Sequence, residues 1–336
     1  MTKGGKIRVA YGAGLCHAPI HIALENGYFK DEGLDVEASQ MDSAVIAEAA
    51  GSGHLDASYG LVGKLIPSIE NGLAIKLTAG IHTGCIQVVT RKDSDIKTLC
   101  DLKKKKIGVA SLTDSPAVIA KRGLAAQKIG VSAANMEVEF VVYAAADLPA
   151  ALNKGAIDAY AAIDPAVSVA VKAYDYRVLL DTSKDAPFKD EYCCATFVTS
   201  DFADKHPILA EKYTKAIMTA SAWIEKNPEA AAKIQVDKGY VSGDAVFNGE
   251  LLKSFNFIPS VKGGYDALSD NVAALKAIDL LQPTTDKKTI LKNNYLTFKA
   301  LLDFDAAKVE AQPTPTGLKS DKPATDEGKE KDDCCE

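Results

Sequence analysis

The sequence predicts an α/β protein built from two similar units, each a mostly parallel sheet with helices on its faces. Two observations carry this. The first 80 residues alternate short apolar strands with helical segments in the order β-α-β-α-β-α-β. After an apolar stretch at residues 85–90, which leaves the first unit, a second run of the same kind begins near residue 96. The length of 336 residues fits two domains at ~100–200 residues each.

The elements follow in order. Residues 6–11 alternate polar and apolar and read as a strand, ended by Gly12-Ala13-Gly14. A helix follows from His17 or Ala18 to near Gly27, with Pro19 in its first turn, where a missing N–H is harmless. Residues 34–38 form a second strand, 43–50 a helix, 55–59 a third strand, then a helix to Asn71-Gly72 and a fourth strand at 75–79. In the second unit, a short helix at 96–102 and a solvated lysine turn at 103–106 precede the strand 107–110. A helix at 115–129, a strand at 138–143, a helix at 148–153, a strand at 158–161 and a helix at 165–173 complete it. The strand 192–199 leads back to the first unit, and 207–301 is mostly helical. Residues 311–336 are punctuated by proline and crowded with acids and lysines, the pattern of a disordered tail.

Composition narrows the function classes. With 47% hydrophobic residues the chain is globular. Charges of 39 basic and 45 acidic residues, net −6, with arginine only at 8, 91, 122 and 177, argue against a nucleic-acid partner. No run approaches the ~18 apolar residues of a membrane span. Residues 1–6 lack the apolar core of a signal peptide, so the chain reads as a mature periplasmic or cell-envelope form, with a cytoplasmic protein as the alternative. The seven cysteines are odd in number and include the adjacent pairs Cys193-Cys194 and Cys334-Cys335, which is not a disulfide framework.

In open α/β sheets, ligands sit outside the carboxyl ends of the strands. That rule selects the loops 11–17, 41–43, 59–60, 111–115 and 163–165. Tyr11, Tyr59 and Tyr143 follow strands there and offer rings and hydroxyls to a planar ligand, or else pack as half-buried side chains. Asp42, Ser43 and Gly60 share these loops. Ser111, Thr113 and Ser115 open a helix and are placed to hold an anion, although helix capping is the simpler role. Asp164 either contacts the ligand or caps the helix after Pro165. No arginine falls in these loops, which favours a neutral or weakly charged ligand. Cys16, His17, His21, Cys193 and Cys194, with His82 after another strand, form a soft donor set suited to zinc, copper or haem iron. Against this, adjacent strand residues point to opposite faces, so only one of Cys193 and Cys194 is expected to face inward.

Residues 17–36, HAPIHIALENGYFKDEGLDV, resemble the opening of the nitrate/sulfonate/taurine class of substrate-binding proteins of ABC importers. The segments 51–57, 91–109 and 153–159 match further parts of that pattern in order, and the resemblance spans roughly residues 6–304. It implies two α/β lobes of the type II periplasmic-binding-protein fold, joined by hinge strands at 85–90 and 192–199, with a ligand cleft between them. The lobes would be 6–88 with 198–306, and 89–197. It implies a non-enzymatic receptor with no cofactor, monomeric, that closes on a small solute and docks on a membrane permease. Residues 17–36 also resemble the fungal thiamine-pyrimidine synthases of the same fold. Their cofactor lysine and reacting histidine align with Gly60 and Lys64, so the enzyme reading lacks its chemistry. A metal or haem carrier remains the other alternative.

Overall fold

The computed structural model describes residues 6–43 and 45–309. The acidic tail read at 311–336 lies outside the described residues. The chain begins with β1 (Lys6–Tyr11), a 3-10 turn (Leu15–His17), α1 (Ala18–Glu25), α2 (Tyr28–Asp31), β2 (Asp35–Gln40), α3 (Ile46–Gly51), β3 (Ala57–Leu61), α4 (Val62–Glu70) and β4 (Ile75–His82). It continues through β5 (Ile86–Thr90), β6 (Lys106–Val109), α5 (Ser115–Ala126), the small hairpin β7 (Val131–Ser132) and β8 (Asn135–Met136), and β9 (Glu139–Val142). Then come α6 (Leu148–Asn153), β10 (Ala159–Ile163), α7 (Ala166–Tyr174) and β11 (Arg177–Asp181). After β12 (Cys194–Thr199) the chain is helical: α8 (Ser200–Lys205), α9 (Pro207–Lys226), α10 (Pro228–Asp237), α11 (Ala245–Lys253), α12 (Val261–Lys276) and α13 (Lys287–Asn294).

Two five-stranded sheets result, in the orders β2-β1-β3-β12-β4 and β11-β5-β10-β6-β9. β1 runs parallel to β2 and β3, as the helical crossovers require. The sheets are not wholly parallel, however. β12 is antiparallel to both β3 and β4, and β5 is antiparallel to both β10 and β11. The reason is geometric: a chain arriving from the other lobe enters a sheet at its cleft edge and must run away from it. The strand β11, unexpected from the sequence, pairs only with β5 at the sheet edge.

The expected hinge strands each lie within one sheet, β5 in the second and β12 in the first. The chain crosses between sheets in two connecting segments, residues 83–85 and 182–193. β5 and β12 are buried along their whole length, which explains why their sequences are apolar without alternation. Helix ends are fixed locally. Asp114 accepts from the N–H of Ala117, Ser260 from that of Gly263, and Asp286 from those of Lys288 and Thr289. Among the described residues no helix is long and apolar enough to cross a membrane.

One contact between layers depends on the absence of side chains. The start of α12 lies directly on β4: a Cβ on Gly264 would stand 2.3 Å from the Gly80 nitrogen. Backbone cannot yield as a side-chain tip can. Gly264→Ala is therefore expected to destabilise the protein by about 2 kcal/mol or more through overpacking. A urea unfolding midpoint within error of the parent's would refute the close approach.

Candidate functional site

A cavity lies between the lobes. Leu61, Gly63 and Asn271 line it from the first lobe, Ser115, Val118, Ile119 and Arg122 from α5, and Ile86, Thr182, Phe188, Glu191, Tyr192 and Cys193 from β5 and the second crossing. Arg122 organises it. Its Nη2 donates to both oxygens of Glu191, at 2.8 and 2.7 Å, and its Nη1 donates to Asn271 Oδ1 at 3.3 Å. The guanidinium also lies over the Phe188 ring, 4.8 Å from its centroid. One side chain thus ties α5 to the crossing segment and to α12. The expectation was of no arginine in the cleft loops, and Arg122 lies in none of them. Arg122 sits mid-helix, where a rule about strand-end loops does not look. Its charge is already matched by Glu191, so the cavity offers no free guanidinium fork. Ser115 Oγ, buried on the wall, has no hydrogen-bond partner.

A second cavity lies over the carboxyl ends of the first sheet and includes His17, Ser43, Tyr59, Gly60, Lys64 and Phe197 in its lining. His17 Nδ1 accepts from the Gly12 N–H at 3.1 Å, and its Nε2 is 3.5 Å from Ser43 Oγ. Burial pushes His17 down to about 4, so the ring is neutral. Lys64 donates to the Ser43 carbonyl at 3.2 Å.

Between the two cavities lies a group of thiols. Cys85 Sγ is 3.3 Å from Cys193 Sγ, which is 3.4 Å from Cys194 Sγ. The Cys16 thiol lies close to those of Cys194 and Cys85. His82 joins them: one of its ring nitrogens and the sulfurs of Cys193 and Cys194 lie within 4.8 Å of one another. His82 Nδ1 donates to the Thr83 carbonyl at 2.9 Å, and Nε2 is 2.5 Å from the Tyr59 hydroxyl, which also bonds the Cys16 carbonyl. Burial alone raises Cys194, but hydrogen bonds from Cys16, Cys193 and Cys85 and the proximity of His82 outweigh it and hold this thiol below the ordinary range. The Cys16, Cys85 and Cys193 thiols are correspondingly raised. The expectation that only one of Cys193 and Cys194 faces inward fails. Cys193 precedes β12, so the pleat that separates neighbours inside a strand does not act on it. Cys85 was not singled out, because nothing in sequence links the loop after β4 to the start of β12.

Other expected residues lie elsewhere. His21 is buried against Gln235, 2.9 Å away, and stacks on Tyr240 with ring centroids 4.3 Å apart, so it does not join His17 as a donor. His17 belongs to the 3-10 turn and His21 to α1, which breaks the expected shared face. Tyr11 packs edge-on against His21 and Tyr240. Tyr59 is fully buried. The two rings therefore do not form a sandwich for a planar ligand. Tyr143 packs on a satellite core of the second lobe. Ser111 and Thr113 are exposed and form the turn that Asp114 closes, which is the capping role. Asp42 is exposed at the turn before α3. Asp164 is buried, accepts from the Ser168 N–H at 3.2 Å, and is pushed up to about 6 by its burial.

Two α/β lobes with a cavity between them and two chain crossings define the periplasmic-binding-protein fold. The chain belongs to the NMT1-like family, whose sequence model matches residues 3–236. It is similar in structure to the periplasmic nitrate-binding protein NrtA from Synechocystis PCC 6803, with a TM-score of 0.74 at 16% identity over 93% of each chain. A zinc-bound ligand-binding component of an ABC-type import system from Staphylococcus aureus gives 0.70 at 15% identity, covering 91% of this chain and 99% of that one. The periplasmic aliphatic sulphonate binding protein SsuA from Escherichia coli gives 0.66 at 16%, covering 84% and 93%. At these identities the likeness to solved structures establishes the fold. No curated protein sequence matches the chain.

The Arg122–Glu191 pair is mostly buried, with side-chain exposures of 10% and 22%. Glu191→Gln leaves the guanidinium without its counter-charge and is expected to cost about 2 kcal/mol, discounted from fully buried pairs. Arg122→Met combined with Glu191→Leu removes both charges and is expected to recover most of that loss. Equal unfolding midpoints for the single and double variants would show that the pair carries no such coupling.

Proposed function

We propose that this chain is the solute-binding component of an ABC import system. It acts as a monomer in the periplasm or cell envelope, takes a small neutral or weakly charged solute between its lobes, and presents the closed form to a membrane permease. The observation that supports this most is the interlobe cavity, whose wall is contributed by both lobes and by the second crossing. Bending at residues 83–85 and 182–193 opens and closes it, as expected of hinges made from a few connecting residues. The structural relatives named for nitrate and sulphonate take anions. Here the one arginine of the cavity is already paired with Glu191, which supports a solute that does not need a free fork. The chain is read as non-catalytic because Gly60 and Lys64 stand where the related enzyme class carries its reacting groups.

Small-angle scattering with and without solute tests this. A solute that raises the unfolding temperature should also reduce the radius of gyration, and Ser115→Trp, which fills the cavity, should abolish both effects. Thermal stabilisation with an unchanged scattering profile, or unaffected by the tryptophan, would remove the cleft-closing reading. Nitrate or a sulfonate outcompeting every neutral solute would overturn the preference for a weakly charged one.

A further inference from the structure

We propose that His82, Cys193 and Cys194, with the Cys85 and Cys16 thiols beside them, form a binding site for one soft, thiophilic metal ion, reached from the interlobe cavity past Cys193. As a statement about cargo this rests on the receptor reading above; as a statement about the site it does not.

Three stretches distant in sequence supply the donors. Cys16 comes from the turn after β1, His82 from the end of β4 and Cys85 from the first crossing just beyond it, and Cys193 and Cys194 from the end of the second crossing and the start of β12. The β12–β4 register places Cys194 directly opposite His82. The Sγ separations of 3.3 and 3.4 Å are far longer than a disulfide, so these are free thiols held close together. Thiolates with an imidazole are the donor set of soft and borderline ions such as Cu(I), Zn(II) and Cd(II), and a poor set for Mg(II) or Ca(II). Binding exchanges thiol protons, released to solvent, for metal–sulfur bonds.

Three further features distinguish this group from cysteines that merely fill a core. His82 donates Nδ1–H to a backbone carbonyl, the partner that typically orients a metal-ligating histidine, and a metal ion would take Nε2 over from the Tyr59 hydroxyl. Cys85 adopts φ of +96°, a region that glycine occupies cheaply and a side chain does not. Keeping a thiol there at a conformational cost points to a use for the sulfur. Finally, the group is connected to the outside: Cys193 lines the interlobe cavity, while Cys16, Cys85 and Cys194 lie buried behind it. The donors also straddle both crossings, so one ion would tie together the two segments about which the lobes move.

The test uses the full-length chain carrying Cys100→Ser, Cys334→Ser and Cys335→Ser, which removes the thiols outside the group. Reduced, metal-free protein is titrated with Cd(II), with Cu(I) and, as hard-ion control, with Mg(II). The expected result is one equivalent of Cd(II) or Cu(I) retained through gel filtration, with a thiolate-to-metal charge-transfer band and no Mg(II) retained. Cys85→Ser with Cys193→Ser should weaken binding by roughly 100-fold or more, with circular dichroism confirming the fold. Cys193→Ala alone, the least buried change, gives the same readout should the double variant fail to fold. Equal Cd(II) affinity in parent and variants, or retention of Mg(II) alongside Cd(II), would overturn the site. So would a Cys85–Cys193 disulfide that forms under mild oxidant as readily with Cd(II) present as without it. Scattering on the same samples separates the two readings. Cd(II) bound without lobe closure keeps the metal site and removes metal as cargo. Closure around an organic solute with no Cd(II) binding keeps the receptor and overturns the metal site.

Discussion

β12 lies between β3 and β4, hydrogen-bonded antiparallel to both, and every one of its residues is buried. Without it the two neighbours would each present an unpaired edge in the middle of the first sheet, where no water reaches their backbone groups. Yet β12 is contributed only after the chain has left, built the whole second lobe, and returned. The first sheet is thus incomplete until the second lobe's chain comes back. That dependence couples the two lobes through the path of the chain. It also fixes the two crossings beside one another at the cleft edge.

The same arrangement assembles the thiol group. β4 ends and β12 begins at the cleft edge, so His82 and Cys194 are opposed by register. The two crossings carry Cys85 and Cys193 to the same point. A low-dielectric setting makes the group electrostatically consequential: three neighbouring thiols and an imidazole share one favoured thiolate site at Cys194. The Tyr59 hydroxyl joins the His82 ring to the Cys16 carbonyl and so ties the first loop to the end of β4.

The interlobe cavity combines an apolar wall with one buried ion pair. Ile86, Val118, Ile119 and Phe188 supply the wall. Arg122 is held by a bidentate bond to Glu191, a bond to Asn271 and a ring beneath it. Such a pair specifies one geometry more than it adds stability, because desolvation offsets much of the attraction. Arg122 reaches from α5 to two partners on the second crossing and one on α12, so it records the relative position of the lobes.

The α/β alternation, the two units and the glycine stops were legible in the sequence, because each depends on residues within one or two turns of chain. The segment at residues 17–36 carried the resemblance to binding proteins for the same reason. His17, Ser43, Tyr59 and Gly60 were placed together by the strand-end rule and do line one cavity. The antiparallel strands, the true crossings and the edge strand β11 were not legible, since direction within a sheet depends on where the chain re-enters it. Arg122 was overlooked because it lies on a helix face rather than in a loop. His21 pairs with Gln235 more than 200 residues away, and Cys85 meets Cys193 across 108 residues. Local sequence thus determined which elements form and which of their ends face the cleft. Only the tertiary structure decided which side chains meet there, because strand register and the two crossings bring together residues that no local pattern connects.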